Sequence, residues 1–130
     1  MPVALPVVKL AALCDPFLNP WTGESFVAED VHIALARGEL NETPFESNLS
    51  WTLAHHISRI AWLVKHGWDT PVEVDVGVPS LGGYVEWMLT DGCHRLAAAI
   101  VLGHPTIDAC VSGDVEYGLD LFGVAVSELA

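Results

Sequence analysis

Basic residues are scarce in this 130-residue chain: five Lys plus Arg stand against 17 Asp plus Glu, for a net charge of −12. Such a surface repels a polyanion at long range, so non-specific nucleic-acid binding is not expected, and any anion site must be local. Cysteines number only three, Cys14, Cys93 and Cys110, and none forms a C-x-x-C pair. An odd count without metal-ligand spacing argues against a disulfide framework and against a structural zinc site, and it fits a reducing, cytoplasmic setting. Long apolar runs are lacking too, since charge, Gly or Pro interrupts each within about ten residues, well short of the roughly twenty that span a bilayer. No membrane anchor is expected. Pro2 and Pro6 break up the apolar N-terminal residues, and no basic segment precedes them, a poor pattern for a secretory signal.

Hydrophobic residues make up 52% of the chain, enough for one core and, at this length, one domain over residues 1–130. Pro16, Asn19, Pro20 and Gly23 mark a turn-rich stretch, after which Ser25 is placed to cap a helix through Arg37, stopped by Gly38. Residues 39–48 are acidic and polar with Pro44, which predicts a surface loop long enough to serve as a lid; Glu39, Glu42 and Glu46 are then plain solvated charge or a general base. A second helix is predicted from Ser50, with Leu53, Ile57, Ile60, Ala61 and Val64 on one face, Lys65 and His66 in the last turn and Gly67 as the stop.

Val72, Val74, Val76 and Val78 alternate with Glu73, Asp75 and Gly77, the period of a half-buried strand. A Pro- and Gly-rich turn leads to a predicted strand over residues 84–89 and an alanine-rich helix over 93–102 closed by Gly103. A strand over 106–111 and a helix over 114–122 follow. The order of elements predicts an α/β (α+β) fold: a small mixed sheet flanked by helices.

The turn between strand and alanine-rich helix, Asp91-Gly92-Cys93-His94-Arg95, concentrates chemistry. A strand leading straight into a helix aims free backbone N–H groups and the positive end of the helix dipole at one spot, which favours an anion. Gly92 permits close backbone approach, Arg95 offers a planar fork for phosphate oxygens, and His94 adds a donor. Asp91 can orient magnesium or accept a hydroxyl proton, or simply cap the helix. Cys93, at a helix N-terminus beside His and Arg, stands where a thiol pKa is lowered, although a free cysteine is more often just small and buried. Upstream, His55 and His56 are adjacent and point about a third of a turn apart, so only one of them can face a pocket on that side. Arg59 can join Arg95 at an anion. Of the five tryptophans, Trp21, Trp51, Trp62 and Trp68 read as core anchors, and Trp87, in the strand before the turn, as a surface on which a base can stack.

Residues 84–111, Y-V-E-W-M-L-T-D-G-C-H-R-L-A-A-A-I-V-L-G-H-P-T-I-D-A-C-V, resemble the core of the ParB/sulfiredoxin-like superfamily. Members carry a strand, a D-G-x-H-R, G-G-C-H-R or G-E-R-R turn, an alanine-rich helix and a short strand. With the preceding helix and strand the resemblance covers residues 50–111, while residues 1–48 resemble nothing named. It implies a nucleotide, ATP or another with Mg2+, bound through Gly92, Cys93, His94 and Arg95, with His56 and Arg59 beside them; where the upstream helix of sulfiredoxins offers a Lys and small hydroxyl residues to ATP, this chain places His56, Arg59 and Leu63. Sulfiredoxins share the run Cys93-His94-Arg95 and use its cysteine as the reactive thiol, but Thr90-Asp91 here replaces their aromatic-Gly pair. The Asp91 version is closer to the branch that includes free-serine kinases and nucleases. ParB proteins themselves carry a DNA-binding helical region after this fold; none follows here, so a partitioning role is expected to need a separate partner.

The resemblance therefore implies a nucleotide-phosphate-binding domain acting as a phosphotransferase or nucleotide hydrolase, with Asp91 in a catalytic position. A first alternative is sulfiredoxin-like thiol chemistry at Cys93. A second is a non-catalytic plasmid- or phage-type binding or regulatory module that turns its acidic face to a basic protein partner. Nuclease activity ranks last, given the charge.

Overall fold

Exposed Glu73 between buried Val72 and Val74, and exposed Thr106 and Asp108 around buried Ile107 and Ala109, give the central strands one face on the core and one on solvent. The computed structural model describes residues 2–18, 24–46 and 50–125. Its elements run β1 (Val3–Pro6), α1 (Val7–Leu13), α2 (Ala28–Arg37), α3 (Leu53–His66), β2 (Val72–Asp75), β3 (Leu89–Asp91), α4 (Cys93–Leu102), β4 (Thr106–Ser112) and α5 (Val115–Phe122). The four strands form an open mixed sheet in the order β1-β4-β2-β3, an α+β fold with helices packed against the sheet. β4 is antiparallel to β1 and parallel to β2, and β2 is antiparallel to β3.

Helix α4 is the hinge of the packing. Leu96 and Ala99 turn toward the sheet, into a core with Leu5, Leu10, Val72, Val74, Ile107 and Phe122. Ala97 and Ala98 face the other way, into a second cluster with Val31 and Ala34 of α2 and Ile60, Ala61 and Leu63 of α3. A helix squeezed between two layers has no room for large side chains on either flank, which is why this one is alanine-rich; all four residues Leu96, Ala97, Ala98 and Ala99 have 0% exposure. Enlarging any of the three alanines costs roughly 1–3 kcal/mol through overpacking.

Several expected boundaries move, each for a local reason. Ser25 does not cap α2; it pairs in an isolated bridge with Leu18, and Asp30 Oδ2 instead takes the Val27 N–H at 2.9 Å. The cap of α3 is Thr52, not Ser50, because the Thr52 hydroxyl takes the His55 N–H while His55 Nδ1 accepts from Thr52 N at 2.9 Å. β2 stops at Asp75, where the carboxylate accepts the Gly77 N–H at 2.8 Å and turns the chain through Gly77, at φ 74°. The strand expected over 84–89 is confined to Leu89–Asp91, since the short β2 pairs only there and with an irregular register at Glu73/Val74. Tyr84 is exposed. The expected strand and helix over 106–111 and 114–122 stand as β4 and α5, with Asp114 capping α5 through the Glu116 N–H at 3.2 Å. Asn19, Pro20, Trp21, Gly23 and Asn48 lie outside the described residues. No helix among the described residues is long and apolar enough to cross a membrane.

Candidate functional site

At the end of β3 the chain turns into α4 through Gly92, whose φ of 107° is open to glycine and strained for other residues. A Cβ here would lie 2.4 Å from Val72 Cγ1, so the close approach that glycine permits is to β2 itself. Helix geometry offers no intrahelical acceptor to the amides of Cys93, His94 and Arg95, and Leu96 N donates to Gly92 O at 2.9 Å as the ladder begins. Asp91 does not cap this terminus. The N-cap position carries no side-chain bond, and the Asp91 carboxylate pairs one turn on with Arg95 Nη2 at 3.0 Å.

Arg95 is built into the fold. Its Nη1 donates to the carbonyls of Thr70 and Pro71, both at 2.9 Å, tying the start of α4 to the segment that enters β2. The side chain is only 15% exposed. Arg95 therefore brings charge to the turn from a fixed position, while these two carbonyls and Asp91 take up part of the fork expected for phosphate. Arg59 reaches in from α3. Its Nη1 donates to the carbonyls of Glu42 at 2.8 Å and Asn41 at 3.4 Å, and its guanidinium lies 4.8 Å from the centre of the Trp62 ring. Burial and the nearby Arg95 both hold the Arg59 pKa below its ordinary range.

These groups surround a cavity of about 560 Å³. Residues Thr90 to Arg95 form one wall, Arg59 and Leu63 another, and Trp87, Pro44 and Phe45 complete it. Two of the chain's five basic side chains thus meet at one cavity in a molecule of net charge −12. Part of the acidic loop after α2 lines the cavity, through Pro44 and Phe45, and Arg59 holds the loop's Asn41 and Glu42 carbonyls.

Behind this wall lies a feature that spacing alone did not reveal. His56, 1% exposed, places Nδ1 2.8 Å from His94 Nε2, with the rings 18° from parallel. Phe45 and Trp51 pack against both rings at centroid separations of 5.1 to 6.1 Å. Burial first, then the charges around it, lowers the His94 pKa to about 3, and burial with neighbouring His55 lowers that of His56 to about 4. Both rings are therefore neutral at pH 7, and His94 is a single-proton donor or an acceptor instead of a cation.

Of the two readings of Cys93, its surroundings favour the small, buried cysteine. Its thiol pKa is pushed up to about 12, by burial first and then by Cys14 and Asp15. Packing against Leu10, Cys14 and Leu89 in the sheet-side core outweighs the helix dipole and the flanking His and Arg. Cys14 is fully buried, as expected of a structural residue, and Cys110 is half-buried.

Asp91, Gly92, Cys93, His94, Arg95 and Arg59 all line the one cavity, with His56 directly behind His94. His55 turns away to cap α3. Trp87 lines the cavity as expected, whereas the parts played by Phe45 and Trp51 carried no sequence signal beyond an aromatic within a polar loop. For a nucleotide the volume, cationic rim and aromatic wall fit. For a protein-held metal the donors do not: among the described residues no group of three or more His, Cys, Asp or Glu is placed to hold an ion. No family model, no curated protein and no solved structure matches this chain.

Proposed function

We propose that this chain is a nucleotide-phosphate-binding domain, with the phosphates at the N-terminus of α4 between Arg59 and Arg95 and the base against Trp87 and Phe45. The observation that carries it is the convergence of two of only five basic side chains with a helix N-terminus on one 560 Å³ cavity. Two guanidinium groups held close enough to depress Arg59 repel each other, and an anion between them relieves the repulsion. Backbone amides at a helix start add donors that need no reorganisation. The resemblance to the ParB/sulfiredoxin-like superfamily leads to the same turn.

Within that function, phosphoryl transfer or nucleotide hydrolysis is the reaction class, with magnesium carried by the nucleotide and Asp91, 65% exposed at the rim, as the carboxylate near the phosphates. Thiol chemistry is the weaker reading, because a thiol held near pKa 12 is protonated at neutral pH.

The test is a calorimetric titration with ATP, ADP and CTP at pH 7.5, with and without Mg2+, on the wild type and on Arg59→Ala. Arg59 is the informative choice because Arg95 supports the fold. Saturable binding that weakens about tenfold or more in the variant is expected, the loss of one charged hydrogen bond being roughly 1.5–3 kcal/mol. No binding to any nucleotide at millimolar concentration refutes the proposal and leaves the fold as a scaffold for a basic protein partner.

A further inference from the structure

The buried histidine pair is the strongest feature that nucleotide binding alone does not use. Two neutral imidazoles carry two protons on four ring nitrogens, and a 2.8 Å contact between Nδ1 of His56 and Nε2 of His94 requires one proton between them. A third proton can be accommodated without breaking that contact: one ring then carries N–H on both nitrogens and donates to the other's lone pair. A fourth cannot, because two N–H groups would face each other across the same gap. The pair can hold one positive charge and no more.

The groups around the pair decide whether it holds that charge. On α3 these include His55 and Arg59, and on α4 Arg95, to which Asp91 at the end of β3 is bonded. From the loop side, the Phe45 and Trp51 rings pack against both imidazoles at tilted or edge-on angles. Without a ligand, burial and His55 hold His56 near pKa 4, and burial, His56 and the two arginines hold His94 near 3, so both rings are neutral at pH 7. His94 lines the cavity, so an anion seated there is its near neighbour, with a charge opposite to that of the arginines.

We propose that anion binding at this cavity is proton-coupled: the His56–His94 pair takes up one proton, shared between its two rings, when a phosphate group enters beside His94. This rests on the nucleotide-phosphate function proposed for the same cavity. An opposite charge within hydrogen-bonding range raises a base's pKa by about 1–3, which moves His94, the ring beside the anion, from about 3 to as high as about 6. By linkage, affinity then rises as pH falls through that range, by at most about tenfold per pH unit for one proton.

The nucleotide's own phosphates titrate nearby, so the protein's protons must be read directly. The experiment is a long-range 1H–15N spectrum of the imidazole rings at pH 5.5, with and without saturating ATP, on the full chain labelled at histidine. His56→Gln and His94→Gln assign the signals among the six histidines. Calorimetry on the same sample shows whether ATP is bound. The expected result is two protonated nitrogens of the pair's four without ATP and three with it, accompanied by tighter binding than at pH 7.5. ATP bound with both rings still neutral, or a pair already charged without ATP, overturns proton coupling and leaves the nucleotide site standing. No ATP bound at either pH overturns both.

Discussion

The two arginines at the cavity are both hydrogen-bonded to backbone carbonyls, yet they hold different things. Arg95 bonds Thr70 and Pro71, which lead into the central strand β2, and its wall is locked further by Gly92 pressed against Val72. Arg59 bonds Asn41 and Glu42, in the acidic loop, and beside them the rings of Phe45 and Trp51 pack at tilted or edge-on angles against the histidine pair. One wall is part of the sheet and helix framework; the other is a strap of loop held by a guanidinium and by neutral rings. Fixed amides on a rigid wall suit anion binding, since nothing has to be ordered when the ligand arrives, whereas a strapped wall can admit and cover it.

The largest effect is expected on the rigid wall. Gly92→Ala combines a left-handed backbone with a Cβ 2.4 Å from Val72 Cγ1, and should destabilise the fold by about 2–5 kcal/mol in urea unfolding. An unchanged midpoint would mean that this wall gives way easily.

Next comes pH, which acts on the strapped wall. The folded pair resists protons that unfolded histidines accept near 6.5, so the unfolded state binds more protons below that pH. Stability should be complete above about 6.5 and fall toward about 4, by at most about 1.4 kcal/mol per pH unit for each histidine. His56→Gln should flatten that slope in pH-dependent urea melts.

A smaller contrast separates the arginines. Arg95→Ala leaves two carbonyls without its bonds and should cost about 2–3 kcal/mol. Arg59→Ala should cost about 1 kcal/mol or less, with its main effect on nucleotide affinity. Equal losses from the two would erase the distinction between the walls. The smallest effect concerns reactivity: in native protein at pH 7.5, iodoacetamide should label half-buried Cys110 well before Cys93, whose thiol lies near 12.

What was legible in the sequence followed from local rules. Helix α4 occupies the predicted residues 93–102, because Gly92 and Gly103 bracket it and its alanines leave no competing pattern. The turn at residues 91–95 was found, and with it most of the cavity wall. Strand β1 and helix α1 were not read at all: a four-residue strand of VALP has little period of its own, and its identity comes from pairing with β4, about a hundred residues later. Both readings of Cys93 stood in the sequence because the helix dipole is a local signal, whereas the burial that opposes it is set by residues from α1 and β3. His56 was named for the site on the resemblance, but it lies 38 residues from His94, and nothing local signalled that the two rings meet.

The central claim is that phosphates sit at the N-terminus of α4. It is tested most directly by backbone amide 1H–15N shifts on titration with ATP at pH 7.5. Saturable shifts largest at Gly92, Cys93, His94 and Arg95, with smaller ones at Phe45 and Trp87, are predicted. Saturable shifts centred elsewhere, for example around Trp68 and His104 in the second cavity, or no shifts at all, would contradict it.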